Sequence, residues 1–382
     1  MKHILIDGTS VSRHIDGLTQ YILNVVLRLD MSVARYSLLL REGECPAHYL
    51  QQILAKGVQV EHVQIAPIGP LRDWQMARYL RQRDDYDGML VPSNQYPLAL
   101  RKPSVYVVHD VIYEEFPEQL GKWSGLKKWY LRKVVAAGLK RADSVVAVSE
   151  YTKSELVRCY GEQYASKIEV VYEGWEHLAV NGDECRLMSV NDDECRKDKY
   201  ILYVGSSRGH KNLARLIEAV GKTMWQLGAA AKEQWRVVIV GNSKMFTSEQ
   251  LAAIDSLNAE RNVVELTGWV SDEELAAYFR GASALIFPSL SEGFGIPVLE
   301  AYYYKIPLLL SNRASLPEVA GDAAIYFDAY DVEDMARVMQ EFMATADHSA
   351  LIEKQTERLS LYSWQKTADR ISILLRKLWD KK

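Results

Sequence analysis

Apolar runs of strand length alternate with helix-length segments along nearly the whole chain of 382 residues. The first run is Ile4-Leu5-Ile6. A polar loop, Gly8 to Gly17, follows it and leads to a helical pattern that continues to Leu29. Buried strands that are each followed by a helix pack most readily as a parallel sheet covered by helices. The sequence therefore predicts an α/β fold. At this length it predicts two domains rather than a single hydrophobic core.

The pattern of strands and the change of composition between the two halves predict where the domains lie. Further strands are predicted at 37–40, 88–91, 105–108 and 144–148, and then at 200–205, 235–240, 263–266, 284–287 and 307–310. Between these groups, the segment Val180–Arg186 is nearly duplicated by Val190–Arg196 in a polar, acidic stretch. We predict a first domain at 1–173, a linker with this duplicated insertion at 174–199, a second domain at 200–360, and a C-terminal helix at 361–382 that packs back on the first domain.

Composition and charge narrow the class of protein. The net charge of −4 and the pI near 6.1 give no electrostatic reason to expect nucleic acid as a partner. The apolar run at the N-terminus is too short for a signal peptide. The sequence contains no run of about 18 apolar residues, so no membrane-spanning helix is predicted. The four cysteines lack the paired spacing of a zinc site. We expect a reduced, cytoplasmic protein.

Two predicted helices of the first domain, 71–83 and 122–141, combine tryptophans with many lysines and arginines. A basic helix that carries aromatic side chains is compatible with the surface of an anionic membrane. It is equally compatible with an ordinary solvated helix face. Both interpretations remain open at this stage, so peripheral contact with the inner membrane surface is one of two alternatives.

The stretch from Phe287 to Ala301 predicts a strand, a turn and the start of a helix. Such a turn places backbone N–H groups and the positive end of a helix dipole at the carboxyl end of a sheet, where a phosphate or carboxylate can bind. Two carboxylates, Glu292 and Glu300, lie eight positions apart in this stretch. One is predicted in the turn and the other in the helix, so that they can hold two ends of one ligand.

Other candidate site residues also follow predicted strands. Arg208 and Lys211 lie in the loop after the strand at 200–205, and fixed cations beside backbone donors are what a diphosphate requires. His109 directly follows the strand at 105–108. A histidine there either contacts a ligand or has a structural role in which a neighbouring carbonyl satisfies it.

The segment Phe287–Ala301 resembles the E-x7-E signature of the retaining glycosyltransferases of family 4. The resemblance extends to other segments along the chain: His109-Asp110, Ala142–Ser149, Tyr203-Val204-Gly205, Lys211-Asn212, Leu266–Val270, Leu316–Gly321 and Tyr362-Ser363-Trp364. It implies the GT-B fold, in which two Rossmann-like domains face each other across a cleft.

The resemblance also implies a role for each site residue. Lys211 and Arg208 would bind the donor diphosphate, and Glu300 would accept hydrogen bonds from the ribose. Glu292 would contact the donor sugar, and His109 would approach that sugar from the other domain. Other residues would line the nucleotide-sugar site, largely through their backbone: Gly205, Val270, Gly293, Phe294, Gly295 and Ile296.

The function implied is transfer of a hexose, with mannose the first expectation, from a GDP-sugar or UDP-sugar to a glycan or lipid-linked oligosaccharide in bacterial surface polysaccharide synthesis. The anomeric configuration would be retained, and no metal or other cofactor is expected. Two alternatives remain open, a sugar-nucleotide epimerase on the same fold and a non-catalytic subunit that binds a sugar nucleotide.

Overall fold

A computed structural model describes residues 1–178, 199–226, 235–241 and 246–379. The chain divides into two compact units, one formed by Met1–His177 with Tyr362–Lys382 and the other by Leu178–Leu361. Each unit is described by itself below. The duplicated segments at 180–186 and 190–196 lie outside the described residues.

The first unit is built on a seven-stranded sheet in which all strand pairs are parallel. Its strands are β1 (His3–Asp7), β2 (Arg35–Leu40), β3 (Gln59–His62), β4 (Gly88–Val91), β5 (Ser104–Val108), β6 (Ser144–Ala147) and β7 (Ile168–Val170). Their order across the sheet is β3-β2-β1-β4-β5-β6-β7. The central strands β1, β4 and β5 are buried along their whole length, as expected when helices cover both faces of a sheet.

Helices connect these strands, and two of them begin at a residue whose side chain caps the helix. They are α1 (Gly17–Arg28), α2 (Ala47–Ala55), α3 (Pro70–Arg81), α4 (Ile112–Glu115), α5 (Ser124–Arg141) and α6 (Glu150–Tyr160). The Asp16 side chain accepts a hydrogen bond from Thr19 N at the start of α1. Ser149 does the same for Thr152 N at the start of α6.

The second unit contains a six-stranded parallel sheet. Its strands are β8 (Lys199–Val204), β9 (Trp235–Val240), β10 (Val264–Gly268), β11 (Ala284–Phe287), β12 (Leu308–Ser311) and β13 (Ile325–Phe327), in the order β10-β9-β8-β11-β12-β13. The described helices are α7 (Leu213–Gln226), α8 (Ser248–Leu257), α9 (Asp272–Gly281), α10 (Ile296–Tyr303), α11 (Leu316–Ala320), α12 (Val332–Ala344) and α13 (Ser349–Leu359).

The last helix, α14 (Trp364–Arg376), belongs to the first unit and packs against α1. Trp364 is fully buried, and its indole Nε1 donates to His177 Nδ1 at 2.9 Å. Burial lowers the pKa of His177 to about 3, so this imidazole is neutral and can accept that hydrogen bond. The Ser372 hydroxyl accepts from Asp30 N at 3.1 Å.

Three strands of the structure were not predicted from the sequence: β3, β7 and β13. Each lies at an edge of its sheet, where one side of the strand has no neighbour. β3 is partly exposed along its length, and β7 and β13 have only three residues each. Short or half-exposed strands lack the continuous apolar run that reveals a central strand of a parallel sheet.

Candidate active site

The loop after β8 is fastened to the loop after β11 by two hydrogen bonds. Leu290 N donates to the His210 carbonyl at 2.7 Å, and Asn212 Nδ2 donates to the Pro288 carbonyl at 3.1 Å. Asn212 adopts a left-handed conformation with φ of 60°, and its amide also donates to the Ala329 carbonyl at 2.7 Å. This buried asparagine therefore joins three loops at the carboxyl edge of the sheet.

That fastening brings Lys211 and Glu292 together. Lys211 Nζ lies 2.7 Å from Glu292 Oε1, with side-chain exposures of 20% and 12%. The ammonium also lies 5.2 Å from the centre of the Phe287 ring, within the range of a cation–π contact. Sequence reasoning placed both residues in one site, and the structure pairs them directly.

The turn from Gly293 to Ile296 is shaped by one glycine and one buried hydroxyl. Gly295 has a φ of 103°, and a Cβ atom there would lie 2.7 Å from Leu316 Cδ2, so only glycine fits without a shift. Ser315 is fully buried, and its Oγ lies 3.0 Å from the Glu292 carbonyl and 2.9 Å from the Phe294 carbonyl. Its single proton is shared between these two acceptors.

Helix α10 begins directly after this turn, with Gly295 as its N-cap residue. The N–H groups of Gly295 and Ile296 donate to no acceptor within the residues that the structure describes. Unpaired N–H groups at the positive end of a helix favour an anionic ligand. With Lys211 nearby, the turn has the charge and the donors that a phosphate group needs.

Glu300 lies one turn inside α10 and is partly exposed. Burial raises the pKa of its carboxyl group to about 7, with a further increase from the charge of Asp272 and an opposing effect of Lys211. In the described part of the chain no hydrogen bond satisfies the Glu300 side chain. A half-buried carboxyl group without a donor suits a ligand that supplies hydroxyl groups.

Glycines form the adjacent part of this edge, at the ends of β8, β9 and β10. Gly241 N donates to the Gly268 carbonyl at 3.1 Å, and a Cβ atom on Gly241 would clash with the Gly205 carbonyl oxygen. Because side chains are missing here, a ligand can approach the backbone closely. Val270 follows this row in the loop before α9 and is partly buried, and its neighbour Trp269 is 66% exposed.

Arg208 is the one candidate cation that stands apart from the others. Its side chain is exposed, and among the described residues it makes no hydrogen bond or ion pair. It precedes the 3₁₀ turn Gly209–Lys211, so it lies in the same loop as Lys211 but does not contact Glu292. Its binding role stays a prediction.

His109 lies at the carboxyl edge of the first unit's sheet, directly after β5. Its ring Nε2 lies 3.0 Å from the Pro92 carbonyl, and its Nδ1 lies 3.4 Å from Glu173 Oε1. Its backbone N–H donates to Asn94 Oδ1 at 2.9 Å. The carbonyl partner required by the structural interpretation of His109 is therefore present, and contact with a donor sugar stays a prediction.

Two contributors to these sites were not singled out from the sequence. Ser315 follows β12 in a stretch where one serine among several gives no signal, since only the fold brings it under the turn after Glu292. Glu173 lies beyond β7, and 64 positions separate it from His109 in the chain. Asn212 belongs to the Lys211-Asn212 segment of the family resemblance, but its left-handed conformation and its hydrogen bonds to two other loops follow only from the structure.

Comparison with known proteins agrees with this geometry in both units. A family model described as "Glycosyltransferase Family 4" matches residues 15–177, and one described as "Glycosyl transferases group 1" matches residues 191–358. The chain belongs to glycosyltransferase family 4. The family predicted from the sequence is confirmed.

Relatives of this glycosyltransferase include two proteins of Escherichia coli. The serotype-specific mannosyltransferase WbdA is 27% identical over 80% of this chain and 37% of its own length. The O-antigen chain mannosyltransferase B is 26% identical over 72% of this chain and 70% of its own length. The match thus spans well under half of the length of WbdA.

A solved structure of HepE from Anabaena, in complex with UDP and glucose, superposes with a TM-score of 0.72 at 17% identity and covers 98% of this chain and 99% of that chain. At this identity the likeness concerns the fold. Together with the two parallel sheets, it confirms the predicted GT-B fold of two Rossmann-like domains.

Proposed function

We propose that this glycosyltransferase moves a hexose, with mannose the first candidate, from a nucleoside diphosphate sugar to a glycan or lipid-linked oligosaccharide in bacterial surface polysaccharide synthesis. The observation that carries the proposal is the cluster at the carboxyl edge of the second unit, where the Lys211–Glu292 pair lies beside unpaired N–H groups and the unsatisfied Glu300. The names of the E. coli relatives support mannose and the surface polysaccharide.

Each part of that cluster fits one part of a nucleotide sugar. Lys211 and the N–H groups of Gly295 and Ile296 supply positive charge for a diphosphate, and Arg208 adds a second cation from the same loop. Glu300 supplies acceptors for the two hydroxyls of a ribose. The glycine row and Val270 leave room for the base, and Glu292 remains for the donor sugar. UDP in the HepE structure is compatible with such a ligand class.

Catalysis would consist of stabilising the charge that develops on the leaving diphosphate while the sugar gains oxocarbenium character. The N–H groups before α10 and the Lys211 ammonium are fixed by the fold before the reaction, so they need not reorganise during it. We propose retention of configuration by attack from the face that the diphosphate leaves, with the departing phosphate accepting the acceptor's proton.

Because cations of the chain can neutralise the diphosphate, we propose that the reaction needs no metal. In the described part of the chain, no group of three or more His, Cys, Asp or Glu side chains is arranged to hold a metal ion. Turnover should therefore persist in excess EDTA. A loss of activity with EDTA that Mg²⁺ or Mn²⁺ restores would show that a metal assists the diphosphate.

A donor screen tests the proposed function. A ligand that binds only the folded protein raises its melting temperature, so GDP-mannose should raise it more than other GDP-sugars or any UDP-sugar. Transfer to a synthetic lipid-linked glycan is then followed by mass spectrometry, and NMR of the product gives its anomeric configuration. Stabilisation by UDP-sugars alone would overturn the proposal that the donor is a GDP-sugar and that the sugar is mannose. Interconversion of free sugar nucleotides would indicate an epimerase, and binding without transfer or donor hydrolysis would indicate a non-catalytic subunit.

We also propose that the first unit contacts the membrane surface through α3 and α5. Several large apolar side chains of these helices are exposed to solvent. The exposed fractions are 79% for Trp123, which precedes α5, and 63% for Leu126 and 58% for Trp129 within α5. In α3, Trp74 is 62% exposed. The two helices are joined by a hydrogen bond from Tyr130 Oη to Asp73 Oδ2 at 2.7 Å. Helix α5 contains lysines and arginines but no acidic residue. Exposed indoles beside basic groups fit an anionic bilayer surface.

None of the helices in the described ranges is both long and apolar enough to span a bilayer. Binding to vesicles that contain phosphatidylglycerol should exceed binding to pure phosphatidylcholine vesicles and should weaken with salt. The double change Trp123→Ser with Trp129→Ser should abolish it, and Trp225→Ser, which alters an 82% exposed tryptophan of the second unit, should not. Equal binding by the wild type, the double variant and Trp225→Ser would favour the interpretation that α3 and α5 present an ordinary solvated face.

A further inference from the structure

A buried ion pair at the carboxyl edge of the first unit is not explained by packing alone. The His109 and Glu173 side chains are only 15% and 6% exposed, and their facing atoms, Nδ1 and Oε1, lie 3.4 Å apart. On the other side of the ring, Nε2 lies 3.0 Å from the Pro92 carbonyl. The imidazole is therefore held at both nitrogens by groups of its own unit.

The chemistry of these partners determines where the protons are. A carbonyl oxygen only accepts hydrogen bonds, so Nε2 must carry a proton and donate it to Pro92. A second proton must then lie between Nδ1 and Glu173, because a bare Nδ1 lone pair facing a carboxylate would be repulsive. The pair is thus either an imidazolium with a carboxylate or a neutral imidazole with a carboxylic acid, and its net charge is zero in both forms.

Two other groups lie close to the pair. Asp110, next in the chain, adds negative charge near His109, and the uncharged Tyr21 ring packs edge-on against the imidazole with centroids 4.6 Å apart. No lysine or arginine in the described ranges pairs with Glu173. Burial raises the pKa of Glu173. For His109, burial lowers the pKa, but the hydrogen bond and charge of Glu173, with the Pro92 hydrogen bond and the charge of Asp110, outweigh it, so the net shift is upward.

We propose that Glu173 is the positioning residue for His109: it fixes the orientation of the ring and keeps the pair uncharged beside the reacting sugar. The inference rests on the proposed function and on the contact with the donor sugar that the family resemblance implies for His109. An unpaired imidazolium would oppose the positive charge that the sugar gains in the transition state. A pair that had lost its proton would repel the donor diphosphate. Glu173 balances the charge of an imidazolium, and the proton that the two groups share keeps the pair from becoming negative.

The first arm of the test does not depend on activity. The protein is labelled with ¹⁵N-histidine, the His109 signals are assigned by their loss in His109→Asn, and the ring is titrated. We expect wild-type His109 to keep both ring protons to a pH above its ordinary range. In Glu173→Gln its pKa should fall, because burial is then opposed only by the Pro92 hydrogen bond and the charge of Asp110. Identical titrations in the two proteins would overturn the inference.

The second arm compares Glu173→Gln with Glu173→Ala in a transfer assay. Glutamine can donate an amide N–H to Nδ1 and so reproduces the uncharged pair. The kcat of Glu173→Gln should therefore stay within about threefold of wild type. It should not decline at alkaline pH, where the wild-type kcat should fall as the pair loses its proton. Alanine leaves the ring unheld, and kcat should fall by about tenfold or more while the donor KM stays unchanged. Assays are run well below each protein's melting temperature.

The control variant is Glu176→Gln, which alters a nearby carboxylate that accepts from Trp364 N at 2.7 Å and does not contact His109. It should change thermal stability without changing the pH profile. Equal losses of kcat in Glu173→Gln and Glu173→Ala at every pH would reduce Glu173 to a structural role. If wild type transfers no sugar, the proposed function fails while the titration still decides whether Glu173 governs His109.

Discussion

The carboxyl edges of the two sheets carry polar residues in different states. At the edge of the second unit, the Glu300 side chain and the N–H groups of Gly295 and Ile296 have no hydrogen-bond partner within the described ranges, and Lys211 has an exchangeable one in Glu292. At the edge of the first unit, every polar atom of His109 has a partner in its own unit, with Thr152 Oγ1 donating to its carbonyl at 3.2 Å.

This difference separates a surface that lacks partners from one that is internally complete. Unsatisfied donors and acceptors gain most when a ligand arrives, because the folded protein has already lost part of their hydration. A satisfied group must first give up a partner. Nucleotide affinity should therefore depend strongly on the edge of the second unit and hardly at all on His109, and the variants below test that ranking.

The largest loss of affinity is expected for Lys211→Ala. The change removes a charge-assisted partner of the diphosphate and leaves the Glu292 carboxylate facing it without a cation. We expect the dissociation constant for the preferred nucleoside diphosphate, measured by calorimetry, to rise about 100-fold or more. Lys222→Ala, which removes a surface ion pair with Glu333 in the same unit, is the control. An unchanged affinity in Lys211→Ala would exclude this edge as the diphosphate site.

Glu300→Gln should have the second-largest effect, about tenfold, because an amide accepts hydrogen bonds from ribose more weakly than a carboxylate. Wild-type affinity should rise with pH through about 7, the pKa at which Glu300 ionises, and that of the variant should not. Calorimetry between about pH 6 and pH 8, roughly one unit below and above that pKa, measures how affinity changes with pH in both proteins. Parallel slopes would mean that Glu300 does not contact the ligand.

The same substitution should act on stability in the opposite direction. The folded protein holds the Glu300 proton more tightly than the unfolded chain, whose ordinary pKa is 4.5, so stability from this group is full below that value and lost as pH rises through about 7. At about pH 8, Glu300→Gln should therefore melt at least about 2 °C higher than wild type, and the difference should vanish near the ordinary pKa. A lower melting temperature in alkali would show that the carboxylate is stabilised by the fold.

Ser315→Ala tests the support beneath the turn rather than a direct contact. Without its hydroxyl, the buried carbonyls of Glu292 and Phe294 lose a shared donor, and the turn that presents the N–H groups becomes less well fixed. Affinity should fall about threefold to tenfold, the value of one neutral hydrogen bond. Ser360→Ala, which alters an exposed serine of the same unit, should leave affinity unchanged. An effect as large as that of Lys211→Ala would mean that the turn collapses.

Sequence reasoning was most successful where burial and backbone geometry leave a pattern. The central strands are continuous apolar runs, and the strand, turn and helix at 287–301 are marked by Gly295, whose positive φ excludes other residues. Edge strands such as β3 leave no comparable pattern because one side faces no neighbour. Partnerships such as Lys211 with Glu292 depend on which loops the fold fastens together, which no spacing in the chain reveals.

The smallest effect on nucleotide affinity is expected for His109→Ala. The change leaves Glu173 buried without a partner and the Pro92 carbonyl without a donor, so the melting temperature should fall. Because the nucleoside diphosphate alone is assigned to the second unit, its dissociation constant should stay within about twofold of wild type, less than one weak hydrogen bond. A loss of affinity comparable to that of Lys211→Ala would show that the internally complete edge takes part in nucleotide binding, and the distinction between the two edges would then fail.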